Sequence, residues 1–310
     1  MKIRTCEFKG TKAIEMENDQ IKVVILPEIG GKIASFYHKH KQFELLYQNK
    51  YDVYKKANTY DVFSEYDASG FDDCFPSIDA ETVYYGDQEV KYPDHGEIWS
   101  AAFDYVIEDN HIKMAFTSTI LPYQFEKVIR VEGYSLLIDY TITNHGNSIL
   151  YGLWAMHCLI HCKEDMLIQF PENTKEIINV SPSTILGDVG TIHPYPMTET
   201  LKGEKYPLNK VCPKSANKCE KYYIKDQITE GTCGVFYPED DVRYTVKFDK
   251  EKLPYIGFWI TEGGFRGDYN CALEPTNGYY DSVKTAKTYD RLLALKPQQS
   301  VTFDIALSLE

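Results

Sequence analysis

Leu137-Ile138-Asp139-Tyr140-Thr141-Ile142-Thr143 runs directly into Asn144-His145-Gly146-Asn147. Period-two alternation that ends in a cluster of turn residues is the signature of a β-strand with one buried face. Working outward, runs of strand length recur at Ile21 to Leu26, Ile33 to Tyr37, Ile98 to Ile107, Ile112 to Thr117 and Ile149 to His157. Further runs occur at Cys233 to Tyr237, Val242 to Phe248, Tyr255 to Thr261 and Val301 to Leu309. Most carry β-branched or aromatic residues, and many are bounded by Gly, Pro, Asn or Asp. Strand after strand without intervening amphipathic helices predicts an all-β protein of stacked antiparallel sheets.

Helix signals are local. One helix is expected within Lys50 to Tyr66, and a short one after Tyr280-Asp281-Ser282, where Asp or Ser can cap it. Five prolines between Glu172 and Lys221, with Pro171 just ahead of them, read as long connecting loops over a sheet, and loops of that length are often functional. No repeat or low-complexity linker divides the chain, so residues 1–310 are expected to form a single domain.

With 43% hydrophobic and 14% aromatic residues, the 310-residue chain carries ample apolar surface for a sizeable core. A formal net charge of −13 repels phosphate backbones and anionic headgroups, which excludes nucleic acid and membrane surfaces as expected partners. No apolar run follows the charges of Met1-Lys2-Ile3-Arg4, and none approaches the ~18 residues of a spanning helix, so a cytoplasmic location is expected. Eight cysteines without a CxxC pair are read as reduced thiols. His157-Cys158-Leu159-Ile160-His161-Cys162 offers zinc-ligand types. On a strand, however, its histidines and cysteines point to opposite faces, so no metal is expected.

Three segments place chemically competent residues at turns or strand edges. In Tyr92-Pro93-Asp94-His95-Gly96-Glu97-Ile98-Trp99, His95 is either a solvated loop residue or a ligand-binding one. In Tyr151-Gly152-Leu153-Trp154-Ala155-Met156-His157-Cys158, His157 is either a core histidine bonded to backbone or a functional one. In Cys271-Ala272-Leu273-Glu274-Pro275-Thr276, Pro275 pushes Glu274 into an extended conformation at a strand end. A carboxylate leaving a buried strand is either a general base with a desolvated charge or an acceptor of loop hydrogen bonds.

With Gly70-Phe71-Asp72-Asp73-Cys74-Phe75-Pro76 ahead of them, and Leu26-Pro27-Glu28-Ile29-Gly30-Gly31-Lys32-Ile33 as a first hairpin, these motifs resemble the aldose 1-epimerases, or galactose mutarotases. The resemblance is closest to a mutarotase-related branch and follows the family's order over nearly the whole chain. It implies a large antiparallel β-supersandwich with a sugar cleft across one curved sheet. It also implies Glu274 as general base, His157 as general acid and His95 as a sugar-binding residue, with no cofactor. A monomer or homodimer acting on a small free sugar is the expected assembly.

Ring opening of a pyranose removes the C1 hydroxyl proton while a proton reaches the ring oxygen, so one base and one acid must flank the same carbon. A carboxylate and an imidazolium suffice, and rotation about C1–C2 before reclosure gives the other anomer. Trp154, Trp259, Phe258 and Tyr279 are candidates for apolar sugar platforms, or else core residues. Asp72 and Asp73 are candidates for hydroxyl binding, or else a solvated loop pair. Galactose mutarotases place an Asn-Arg pair where this chain has Asp72-Asp73, a departure that argues against galactose itself. Arg266, in the glycine-rich loop before Glu274, is either a surface charge or a contact for a polar or anionic substituent. If Arg266 and Lys32 both line the cleft, a sugar phosphate or sugar acid becomes a candidate substrate. Two other functions fit such a sandwich: a non-catalytic sugar binder or sensor, and a glycoside hydrolase or polysaccharide lyase, which would need a further domain and catalytic residue.

Overall fold

In the computed structural model, which describes residues 1–66 and 68–310, the Ser135–Asn144 strand lies antiparallel between Tyr123–Glu132 and Ser300–Leu309. Leu136, Ile138, Tyr140 and Ile142 are buried, and the residues between them are partly exposed. That is the pattern of a strand with one face on a core and the other toward water. It belongs to an eight-stranded antiparallel sheet, which packs on a thirteen-stranded sheet through one large apolar cluster.

Six adjacent strands occupy the middle of the larger sheet. In spatial order they are Lys32–His38, Phe71–Cys74, Ala155–Cys158, Tyr269–Thr276, Tyr255–Glu262 and Lys218–Ile224. Phe71–Cys74 and Ala155–Cys158 are buried on both faces, and Tyr255–Glu262 and Tyr269–Thr276 nearly so. One face meets the core; the other is roofed by loops. The segments around Phe63, His95 and Asp281 supply that roof, pinned where Ile78 and Asp79 N–H groups donate to the Asp281 carbonyl at 3.1 and 2.9 Å.

The first hairpin turns at Gly30 and Gly31, both with φ near +60° (65° and 57°), between Ile21–Leu26 and Lys32–His38. A side chain at Gly30 would stand 2.8 Å from the Trp99 carbonyl oxygen, so the position needs glycine for space as well as for conformation. Ser282 caps the Val283–Thr288 helix by accepting from the Thr285 N–H, as its sequence predicts.

Three expectations need correction. Lys50 to Tyr66 contains only a 3₁₀ turn, Phe63–Glu65. Tyr51, Val53, Tyr60 and Val62 are exposed there, so a helix would have had no apolar stripe to bury. Glu172 to Lys221 is not all loop: it holds Glu176–Asn179, Ile192–Pro194, Met197–Glu199, Lys205–Pro207 and the first half of Lys218–Ile224. Pro194 and Pro207 close their short strands, where a missing N–H costs little. Ile98 to Ile107 opens as a 3₁₀ turn, Ile98–Ser100, before the strand Asp104–Ile107. All eight cysteines are free, and among the described residues no helix is long and apolar enough to cross a membrane.

Candidate functional site

Register brings the two residues of greatest chemical interest together. Ala155 pairs with Thr276 and Ile160 with Cys271, one and the same antiparallel register, which sets His157 opposite Glu274. On their other sides His157 faces Asp72, Glu274 faces Gly257, and Gly257 faces Tyr223. Asp72, His157, Glu274, Gly257 and Tyr223 thus form a single row on the roofed face, with adjacent Cβ positions about 4.5–5.5 Å apart. Glycine in that row is what gives the Glu274 carboxylate room. A Cβ on residue 257 would lie 2.9 Å from Glu274 Oε2 and 3.1 Å from Tyr223 Cζ.

Above this row is a cavity of about 290 Å³. His95, His157, Lys221, Asp79, Asp94, Asp281, Asp268 and Asn270 supply its polar lining, and Phe63, Trp259 and Phe265 its aromatic walls. The size is near the lower end for small-molecule pockets, which suits one small ring rather than a polymer.

His95 sits in the left-handed region at φ 57°, followed by Gly96 at 76°. A Cβ on Gly96 would come 2.2 Å from the Phe75 carbonyl oxygen, so glycine lets this turn dock on the Phe75–Ile78 segment. The His95 ring stacks on Phe63 with centroids 4.1 Å apart, and its Nδ1 pairs with Asp94 Oδ1 at 2.8 Å. That pairing leaves Nε2 for a ligand. Burial works to raise the Asp94 carboxyl, but the His95 hydrogen bond and charge outweigh it and the net shift is downward.

His157 is buried, edge-on to both His95 and Phe63 at 5.1 Å, and its Nδ1 has no hydrogen-bond partner among the described residues. Burial, followed by the charges of His95 and Lys221, pushes its pKa well below the ordinary imidazole value. This shift favours the neutral imidazole, where the sequence leads one to expect an imidazolium.

Glu274 is fully buried and is not one of the cavity-lining side chains; Lys221 stands between it and the open space. Lys221 Nζ lies 2.9 Å from Asp281 Oδ2 and 3.3 Å from Glu274 Oε2. Burial raises the Glu274 carboxyl, Lys221 opposes that, Asp281 adds to it, and the net shift is upward. Burial alone would lower Lys221, but Asp281 and Glu274 more than reverse it, so the ammonium stays charged. Asp281 also accepts from the Tyr223 hydroxyl at 2.8 Å.

The other expected contacts divide. Asp72 shares the row with His157 but is buried behind the cavity, ion-paired to the equally buried Lys32. Asp73 points the opposite way, as strand alternation requires. It accepts from Lys127 Nζ at 2.8 Å and Trp154 Nε1 at 3.1 Å, inside the core between the sheets. Trp154 is fully buried there against Tyr140 and Phe303. Both expectations are corrected: Asp73 and Trp154 hold the two sheets together and do not reach the cavity. Phe258 and Tyr279 are likewise packed into apolar clusters, which leaves Trp259 as the tryptophan in the wall. Arg266 lines a small neighbouring hollow rather than the cavity, with its guanidinium donating to the Tyr66 carbonyl at 3.4 Å. Neither Arg266 nor Lys32 lines the cavity, so the condition set for an anionic sugar is not met.

Lys221, Asp281, Asp79, Asp268 and Asn270 are site residues that the sequence alone did not single out. For Lys221 a signal existed: Lys221-Tyr222-Tyr223-Ile224 has strand character and puts Lys221 on the face of Tyr223. The others sit on loops or at a strand start and carry no periodic mark.

Residues 4–112 match a family model described as "Domain of unknown function (DUF5107)". No curated protein matches the chain. Solved structures do. A protein from Synechocystis sp. PCC 6803 superposes with a TM-score of 0.72 at 16% identity, covering 96% of this chain and 95% of its own. A galactose mutarotase-like protein from Lactobacillus casei ATCC 334 gives 0.71 at 16% identity, covering 96% and 100%. A galactose mutarotase related enzyme from Lactobacillus acidophilus gives 0.70 at 14%, covering 96% and 97%. The chain therefore has the galactose mutarotase-like fold, the large antiparallel all-β architecture that its motifs imply.

Proposed function

We propose that the protein is an aldose 1-epimerase that interconverts the anomers of a free sugar, with Glu274 as general base and His157 as general acid. The observation that carries this reading is the shared row that places His157 beside Glu274 at the foot of a cavity of monosaccharide size. The fold it shares with mutarotase-like proteins supports it further.

In this reading the sugar's apolar face rests on Trp259 and Phe265. Its C1 hydroxyl takes over the place that Lys221 holds at Glu274, and Lys221 stays on Asp281. Glu274 removes the hydroxyl proton as the C1–ring oxygen bond breaks, and His157 delivers a proton to that ring oxygen. Rotation about C1–C2 exposes the other face of the aldehyde, and the two residues exchange roles on reclosure. His95 Nε2, fixed by the Nδ1–Asp94 bond, hydrogen-bonds the sugar and steadies the developing charge.

The pH dependence follows from the two displaced pKa values. The reactive form needs Glu274 ionised and His157 protonated. Glu274 is displaced upward and His157 downward, so that form is scarce and most abundant midway between the two values. The profile of kcat/KM should be a bell centred between the two displaced values. Lys221→Met removes a charge that lowers both groups, so the maximum should move toward alkaline pH. A maximum above pH ~8 in the unmodified protein would remove His157 from the acid role.

A second reading is favoured by one specific feature, the Lys221 ammonium between Glu274 and the cavity. If that ion pair persists when sugar binds, the base stays shielded and the protein is a sugar binder or sensor without catalysis. Two-dimensional NMR exchange between α and β anomers separates the two. Acceleration over buffer supports the epimerase, and saturable binding without acceleration supports the sensor.

A further inference from the structure

We infer that the cavity takes an amino sugar, whose ammonium is held at the mouth by Asp79, and turns away sugar phosphates and sugar acids. This rests on the sugar-binding reading above and names the substrate class for the same site.

The charges facing the cavity are unequal. Among the described residues four carboxylates line it, Asp79, Asp94, Asp268 and Asp281, against one ammonium, Lys221. Three of the four are already answered: Asp94 by His95, Asp268 by Lys50 and the Tyr47 hydroxyl, and Asp281 by Lys221 and the Tyr223 hydroxyl. The Asp79 carboxylate, exposed at the mouth, has no hydrogen-bond or ion-pair partner among the described residues. Lys221 meanwhile is held by two carboxylates, Asp281 and Glu274. An entering anion finds Lys221 already doubly compensated and His95 already paired with Asp94, whereas an entering cation finds an uncompensated carboxylate.

Two buried atoms point to a ligand independently of these charges. Asn270 lines the cavity at 2% exposure with an unpartnered Oδ1, and His157 lines it at 6% with an unpartnered Nδ1. Buried polar atoms left unpaired are costly, and a ligand that hydrogen-bonds them removes that cost. The aromatic walls suit the same ligand class, because ring faces attract an ammonium as readily as they take C–H surface. Partial enclosure at the cavity rim first and Asp281 second raise the Asp79 carboxyl to about 6 against the pull of Lys221, so it is mostly ionised at neutral pH.

The test is titration calorimetry at neutral pH with glucosamine and galactosamine against glucose and galactose, and with glucose 6-phosphate and glucuronate. The expected result is that one amino sugar binds about tenfold more tightly than its neutral counterpart, with the two anions undetectable. Asp79→Asn should bring that ratio close to one, and about 0.5 M salt should reduce it in the unmodified protein. Equal affinity for amino and neutral sugars, a ratio that survives Asp79→Asn, or tight binding of either anion would overturn the inference. Anomer exchange is read separately on the same samples. Selective binding without exchange would remove the epimerase while leaving the amino-sugar preference standing, and exchange of neutral sugars without selectivity would do the reverse. No binding by any of these sugars would remove both.

Discussion

Glu274→Gln should lower the rate of anomer exchange by about 10²–10⁴-fold, the usual contribution of a positioned general base. The substitution keeps the size of a side chain that fits above Gly257 with little space to spare. It also removes a buried charge whose carboxyl is already displaced upward, so the fold should tolerate it. Lys221 keeps Asp281 as its partner at 2.9 Å. Sugar affinity, measured by calorimetry, should therefore stay within a few-fold while exchange collapses. Exchange at the original rate would take Glu274 out of the chemistry.

Lys127→Ala should destabilise the fold by about 3–5 kcal/mol, the cost of stripping one partner from a buried ion pair. Lys127 and Asp73 are each 2% exposed in the core between the two sheets. Lys127 also donates to the Gly31 carbonyl at 2.9 Å, so its loss leaves an unpaired carboxylate and frees the first hairpin. Asp73 then keeps the Trp154 indole as a donor, too little to hold a buried charge. Urea unfolding should show the loss as a lower midpoint. A second substitution, Asp73→Asn, removes the stranded charge while still accepting from Trp154, and should recover a measurable part of it. A change below about 1 kcal/mol for Lys127→Ala would mean that water reaches this pair.

Much of the fold is legible in the chain because strands that face water on one side announce themselves by alternation. Leu136 to Ile142 is the clearest case, and Ser282 and the Gly30-Gly31 turn mark their ends through local chemistry. His157 and Glu274 are legible for a different reason: each is a titratable group set in an apolar run, and such a group requires partners. What the chain does not reveal is which of two adjacent carboxylates faces which layer. Asp72 and Asp73 must point to opposite faces, but only the pairing of their strand with Ala155–Cys158 decides that Asp72 shares the row with His157. Trp154 misleads because a large aromatic next to a functional strand can serve as platform or as core. Here Tyr140 and Phe303 claim it for the core. Lys221 is remote from Glu274 along the chain and Asp281 lies on a loop, so only the folded sheet and its roof bring the three together.

The most direct measurement is a crystal structure of the Glu274→Gln protein soaked with the free sugar that binds it best. The anomeric hydroxyl should lie within about 2.6–3.2 Å of the residue 274 side chain, with the ring oxygen in similar reach of His157 and Lys221 moved off toward Asp281. A sugar whose C1 lies away from both residues, with Lys221 still covering position 274, would contradict the proposed reaction.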